Sequence, residues 1–201
     1  NRGLITGDRN TYFASTKLTD KHLPILTGAD VQRYFTKPPS EFVLFERPQT
    51  SGGCWDAGVH LAPHKIIIRQ ISRVPTASLI INPIAVTGNI FTIRGDTLSD
   101  EKYLLSIINS KLIAYFWQIM FADFKSSFPQ VTIFSISQIP VRRLDLSSPV
   151  DNEINGKITN LVDKMLDLRL HQSFNKDNGT QLHLDQLIEM TGKQIDSLVY
   201  K

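Results

Sequence analysis

Cysteine is almost absent from the sequence, since Cys54 is the one cysteine in 201 residues. One thiol cannot build an internal disulfide framework, and this scarcity is typical of proteins in a reducing compartment, so we expect a cytoplasmic protein. The chain also lacks an apolar run of membrane-spanning length, and no charged segment followed by an apolar segment opens it. We therefore expect no membrane partner.

Motifs for cofactor, metal and hydrolytic chemistry are missing as well. No Gly-x-Gly follows a predicted strand, and no P-loop occurs. His60 and His64 have metal-ligand spacing only on a helix, which Pro63 interrupts, and no nearby cysteine or carboxylate completes a zinc set. Residues 82–84 (Asn-Pro-Ile) lack the second proline and the aromatic residue of the motif that holds a flipped adenine. The sequence thus predicts no catalytic site, no metal site and no cofactor in this chain.

The net charge of +3 is too small to indicate a nucleic-acid partner by itself, but it is unevenly distributed. Residues 1–150 carry 16 Lys and Arg against 11 Asp and Glu, whereas residues 151–201 carry 6 against 8. The basic surplus therefore lies in the first three quarters of the chain.

The most informative stretch is the β-branched run at residues 65–71, which is too short for a helix and is rich in strand formers. It predicts a strand buried on both faces. Further strands are expected at residues 12–14, 42–45, 79–81, 89–93 and 131–134. Residues 26–35 are expected to form a turn and one or two helical turns, and residues 47–64 a long loop.

Two helices are expected after Ser99, with a break and a new N-cap at Asn109-Ser110. The second helix has a broad apolar stripe that predicts packing on the sheet, and Trp117 belongs to that stripe. Trp55, in the glycine-rich loop, could equally stack on a base or pack in the protein.

Heptad spacing follows Pro149, with Ile154, Ile158, Leu161, Met165 and Leu168 alternately four and three residues apart. The same rhythm returns after residues 178–179 (Asn-Gly), so we expect a helical hairpin. The predicted fold is α/β (α+β), an irregular, largely antiparallel or mixed sheet with packed helices and a C-terminal helical hairpin. Residues 1–149 are expected to form one domain, and residues 150–201 a hairpin that packs on a catalytic domain or on a partner.

Polar and basic side chains cluster in loops and at predicted strand ends within residues 1–149. The candidate binding residues are Arg9, Asn10, Arg47, Gln49, Arg69, Gln70, Ser72, Arg73, Lys125, Ser126, Ser127 and Gln130. If the sheet brings these ends together, they form one basic, amide-rich face suited to phosphates and base edges. By chemistry, Arg9, Arg69 and Arg73 suit guanine or phosphate, while Asn10, Gln70 and Gln130 suit adenine. Each arginine could instead be a solvated charge or a loop clamp.

Five stretches in order resemble the TaqI-like C-terminal specificity domain of adenine-N6 DNA methyltransferases and type IIG restriction-modification enzymes. They are residues 2–7 (RGLITG) with Phe13, residues 25–34 (ILTGADVQRY), residues 65–71 (KIIIRQI) followed by Pro75-Thr76, residues 103–111 (YLLSIINSK), and residues 136–141 (ISQIPV). Residues 194–200 (QIDSLVY) are similar to a helix near the ends of such enzymes. The chain begins at Asn1 without methionine, so we expect a piece of a longer protein.

The resemblance implies a target recognition domain that reads a short sequence in the major groove of double-stranded DNA. It also implies a separate N-terminal methyltransferase domain as partner, which binds S-adenosylmethionine and flips the target adenine. The alternatives are a recognition domain of a type I specificity subunit, or a protein-interaction module whose heptads bind a partner helix. A stand-alone nuclease is disfavoured, because the sequence shows no carboxylate cluster for a metal ion.

Overall fold

The structure, a computed structural model, describes residues 1–49, 51–121 and 129–200 and has the expected mixed α/β fold. The strands are β1 (Leu4–Ile5), β2 (Phe13–Ala14), β3 (His22–Leu26), β4 (Val31–Gln32), β5 (Phe35–Thr36), β6 (Glu41–Leu44), β7 (Gly52–Gly53), β8 (Lys65–Arg69), β9 (Ala77–Ile80), β10 (Ala85–Val86) and β11 (Ile90–Ile93). The helices are α1 (Arg9–Tyr12), α2 (Ala57–His60), α3 (Leu98–Ile108), α4 (Lys111–Met120), α5 (Ile133–Ser137), α6 (Pro149–Phe174) and α7 (Asn178–Val199), and a 3-10 turn covers Gly28–Asp30.

The strand β8 lies at the centre of an antiparallel sheet in the order β11-β8-β9. Ile66 and Ile68 enter the larger hydrophobic cluster on one face, and Ile67 enters a second cluster on the other. All three are fully buried, which is worth roughly 1.5–3 kcal/mol for each side chain. Burial on both faces explains the continuous apolar run and confirms the predicted core strand.

A second sheet has the order β10-β3-β6-β2, in which β10 runs parallel to β3 and the other pairs are antiparallel. The first residues of the chain join the two sheets, because Arg2 bridges to Phe91 and Leu4 bridges to Thr87. A Cβ at Gly3 would lie 2.2 Å from the Thr87 carbonyl oxygen, so only glycine permits this approach.

The helices α3 and α4 confirm the predicted break. Thr97 and Asp100 form a capping box at the start of α3, and Ser110 Oγ accepts the Ile113 N–H at 3.1 Å to start α4. Trp117 is buried, as predicted. The apolar stripe of α4 is narrower than predicted, however, since Met120 is 59% exposed.

The helices α6 and α7 form the expected hairpin, with Pro149 in the first turn of α6 and Asp177 capping α7. The heptad residues Ile158 and Met165 are buried in the same cluster as Ile66 and Ile68. The two parts of the chain therefore share one core. The division at residue 149 stays a prediction.

Three local predictions are wrong in part. Residues 133–137 form α5 rather than a strand, because Thr132 and Ser135 cap each other and start a helix. Helical structure in residues 26–35 is limited to the 3-10 turn, and β4 and β5 then form a hairpin whose tip is Arg33-Tyr34. The long segment at residues 47–64 contains β7 and α2.

Across the three described ranges, no helix combines the length and the apolar character needed to cross a membrane.

Candidate nucleic-acid interface

Five of the candidate side chains lie together where β8 ends. We call this group, Arg69, Gln70, Ser72, Arg73 and Gln130, the β8 exit. The segment at residues 129–131 lies beside the exit, since Ser72 N–H donates to the Pro129 carbonyl at 3.1 Å and Val131 N–H donates to the Gln70 carbonyl at 2.8 Å. This pairing brings Gln130 beside Ile71, which lies 59 positions earlier in the chain.

Backbone hydrogen bonds also fix the turn that follows the β8 exit. Arg69 N–H donates to the Thr76 carbonyl at 3.0 Å, and the hydroxyls of Ser72 and Thr76 lie 3.0 Å apart. Pro75 is buried, so the turn is held against the core. Backbone hydrogen bonds and core packing therefore hold the β8 exit in place, as precise recognition requires.

The side chains of the β8 exit remain available. Arg73 and Gln130 are exposed, while Arg69, Gln70 and Ser72 are half-buried. Within the residues that the structure describes, no hydrogen bond or ion pair engages the guanidinium of Arg69 or Arg73. Partly exposed arginine and amide side chains of this kind are suited to contacts with phosphates and base edges.

Asn109 is a positioning residue that was not predicted from the sequence, which indicated only a break between two helices at this position. Its side chain is almost fully buried. Its Oδ1 accepts the Ala77 N–H at 3.1 Å, and its Nδ2 donates to the Ala77 carbonyl at 3.0 Å. Asn109 therefore holds the first residue of β9, directly after the turn of the β8 exit. The available signal in the sequence was an amide side chain at the predicted helix break.

Arg9 and Asn10 lie at the start of α1, beside the second sheet. The Arg9 guanidinium forms an ion pair with Glu41 and lies 4.2 Å from the centre of the Phe13 ring. Asn10 N–H donates to Asp8 Oδ1 at 3.0 Å, while its side chain is exposed. Arg9 therefore acts as a loop clamp in this structure, and a DNA contact for either residue stays a prediction.

Arg47 and Gln49 follow β6 and are both exposed. Arg47 Nε donates to Ser51 Oγ at 3.1 Å, so this contact is local. Among the described residues, no hydrogen bond or ion pair joins this segment, Arg9 or Asn10 to the β8 exit. The remaining candidates, Lys125, Ser126 and Ser127, lie outside the described residues.

The opposite end of β8 is also polar, but its groups are largely buried and face partners inside the protein. The Lys65 ammonium is inaccessible to solvent and donates to the His60 carbonyl at 2.8 Å. Glu101 is equally buried, accepts the Gly95 N–H at 3.1 Å, and lies 2.9 Å from His64 Nδ1. Burial lowers the pKa of Lys65 to about 8, although the negative charge of Glu101 opposes that shift.

His60 serves the same anchoring purpose. Its Nδ1 accepts the Val86 N–H at 3.3 Å, so the proton lies on Nε2, which donates to the Cys54 carbonyl at 2.9 Å. Burial lowers the pKa of His60, which favours this neutral ring. In the part of the chain that the structure describes, no three His, Cys, Asp or Glu side chains converge to hold a metal ion. The two histidines instead hold the segment before β8.

Trp55 packs within the protein. Its ring lies 5.9 Å from that of Phe45, and its Nε1 donates to the Gly52 carbonyl at 3.0 Å. The Trp55 ring therefore has a structural role beside the second sheet.

Comparisons with known proteins place this geometry in context. A model of the TaqI-like C-terminal specificity domain matches residues 23–141. A putative type II restriction enzyme and methyltransferase of Methanocaldococcus jannaschii is 28% identical over 200 residues, which cover 94% of this chain and 15% of that relative. A solved structure of the type IIL restriction-modification enzyme MmeI in complex with DNA matches 99% of this chain and 32% of that chain, with a TM-score of 0.62 and 8% identity. At this identity the likeness to MmeI shows the fold alone.

Proposed function

Because the chain belongs to the family of TaqI-like C-terminal specificity domains, we propose that it recognises a short sequence in double-stranded DNA. The observation that supports this proposal is the β8 exit, where two side-chain amides and two guanidinium groups without a partner among the described residues lie at and beyond the end of a buried strand. These groups match the donors and acceptors that base pairs present in the major groove.

The geometry supports a division of roles within the exit. Arg69 and Gln70 are half-buried, so their heads are restrained, and each could pair with one base through two hydrogen bonds. Such a pair discriminates by about 1–3 kcal/mol against a wrong base. Arg73 and Gln130 are exposed and suit either a base edge or a phosphate.

We further propose that the chain serves an adenine-N6 DNA methyltransferase or a restriction-modification enzyme. The name of the M. jannaschii relative combines both activities, and this chain spans 15% of that relative's length. In this proposal a separate methyltransferase domain binds S-adenosylmethionine and transfers the methyl group. The chain itself contributes recognition and presents the target adenine to that domain.

The alternative of a module that binds a partner helix through its heptads has lost its main support. Ile158 and Met165 of α6 and Ile195 of α7 are buried in the chain's own core. A seam that is already occupied offers little apolar surface to a partner helix.

The test is fluorescence anisotropy of the purified protein with duplex DNA across a salt series, followed by selection of bound sequences. For Arg69→Ala and Arg73→Ala together we expect weaker binding, a shallower salt dependence and a relaxed consensus. Arg143→Ala removes an exposed arginine outside the exit and is the matched control. If the double variant bound like the control, these two arginines would not belong to the interface.

A further inference from the structure

A second basic feature lies between the β4–β5 hairpin and the end of the helical hairpin. A cavity of about 420 Å³ opens there, and its walls include Gln32, Lys37, Arg169, Gln172 and Gln181. None of the described residues that line it is acidic. The lining of the cavity therefore presents positive charge and amide groups.

The positive charge of Arg169 is only partly offset by the protein. Its Nη1 donates to Gln172 Oε1 at 3.0 Å, and its buried Nε has no hydrogen-bond partner among the described residues. Burial, and next the nearby Arg33 guanidinium, lower the pKa of Arg169. The Asp185 carboxylate, which accepts a hydrogen bond from Gln172, opposes this shift only in part, because the pKa of Arg169 remains lowered. A half-buried cation beside another cation is stabilised by an added anion.

The amides in the cavity have different roles. Gln181 Nε2 donates to the Gln172 carbonyl at 2.8 Å and to the Asn175 carbonyl, so it fixes the connection between α6 and α7. Gln32 is exposed, and so is Lys37. These two side chains are placed to close on a ligand from the hairpin side.

Backbone hydrogen bonds link the hairpin that lines the cavity to the turn of the β8 exit. Tyr34 N–H donates to the Ala77 carbonyl at 2.9 Å, and the residue before Ala77, Thr76, accepts the Arg69 N–H. Tyr34 has a φ of 60°, a left-handed conformation that is uncommon for a side chain of this size. Gln32 and Phe35 pair across the hairpin on either side of this tip, and both line the cavity.

We propose that this cavity binds a phosphate of the DNA backbone, with Lys37 and Arg169 as its cations. The inference rests on the proposed function, because the backbone link between the hairpin and the β8 exit favours a DNA phosphate over a carboxylate of a protein partner. Phosphate contacts fix the orientation of a protein on the duplex without reading its sequence. The helical hairpin, despite its acidic balance, would then contribute one cation to the DNA interface.

The test compares Lys37→Gln and Arg169→Gln with Lys157→Gln in duplex binding across a salt series. Lys157 lies on the same helix as Arg169, roughly 18 Å away along its axis, and is the matched control. Each cavity variant should make the negative slope of log affinity against log salt less steep by about 0.9, because one phosphate contact is lost. The loss should be equal on selected and on random duplexes, and Lys37→Arg should keep the wild-type slope.

The outcomes separate this inference from the function on which it rests. If the wild-type protein failed to bind duplex DNA at low salt, the proposed function itself would fall. If it bound, and both cavity variants kept the wild-type slope, only the cavity assignment would be wrong. The cavity assignment would also be wrong if the cavity variants lost binding to polyglutamate and kept wild-type binding to duplex DNA. That result would indicate that the cavity binds an acidic protein partner. Because Lys37 is exposed, its variant separates binding from folding.

Discussion

The two ends of β8, roughly 13 Å apart, differ in how their charges are satisfied. At the start of the strand, Lys65 and Glu101 are inaccessible to solvent and have partners within the protein. At the other end, the guanidinium groups of Arg69 and Arg73 have none among the described residues. One strand thus separates charges that are buried inside the fold from charges that, among the described residues, have no protein partner.

This contrast predicts a large loss of stability for a mutation at the buried end and a small change for a mutation at the exposed end. Glu101→Ala removes the buried carboxylate that pairs with His64, accepts the Gly95 N–H and offsets the charge of Lys65, so we expect the free energy of unfolding to fall by about 3–5 kcal/mol. Arg73→Ala, at the exposed end, should change it by less than about 0.5 kcal/mol. Urea unfolding measures both. A Glu101→Ala protein as stable as Arg73→Ala would remove the distinction between the two ends.

Asn109 tests whether the exit depends on a buried support. Asn109→Ala leaves the Ala77 N–H buried without its acceptor, which should destabilise the protein by about 1–3 kcal/mol. Because Ala77 follows the turn of the exit, DNA affinity should fall in the same variant, even at temperatures where it remains folded. Circular dichroism and anisotropy on one sample distinguish the two effects. Full affinity in a folded variant would show that the exit does not need this support.

The pH dependence of stability sharpens the comparison further. Burial lowers the pKa of Lys65 from 10.5 to about 8, so the unfolded chain binds more protons than the native one between these values. Stability should therefore rise with pH in this window, by about 1.5 kcal/mol from pH 8 to pH 9.5. Urea unfolding at the two pH values measures the rise, which Lys65→Met should abolish. An equal rise in Lys65→Met would assign it to another group.

The sequence was sufficient for features that depend on local pattern. The isoleucine run of β8 and the helix break at Asn109-Ser110 were predictable because burial and capping leave signals within a few residues. The helix α5 was missed because Val131, Ile133 and Phe134 favour a strand, while the capping pair of Thr132 and Ser135 decided the outcome. The hairpin of β4 and β5 was also missed, because its tip has Tyr34 at positive φ where glycine or asparagine usually indicates a tight turn.

The candidate site was predictable only in part, because its assembly depends on distant pairings. Gln130 reaches the β8 exit through a bridge to Ile71, and Asn109 reaches Ala77 across 32 residues. Nothing in the local sequence specifies either partner. Likewise, the local sequence does not indicate that Arg9, a candidate DNA contact by its chemistry, forms an ion pair with Glu41.

The core that the helical hairpin shares with β8 has a consequence for synthesis on the ribosome. Ile158, Val162 and Met165 of α6 and Ile195 of α7 complete the cluster that holds Ile66 and Ile68. Until these helices emerge, the earlier strands must expose part of that apolar surface. Since translation adds about 5–20 residues per second, this interval lasts for seconds. Chaperone binding to the nascent chain should therefore persist until α7 has been made.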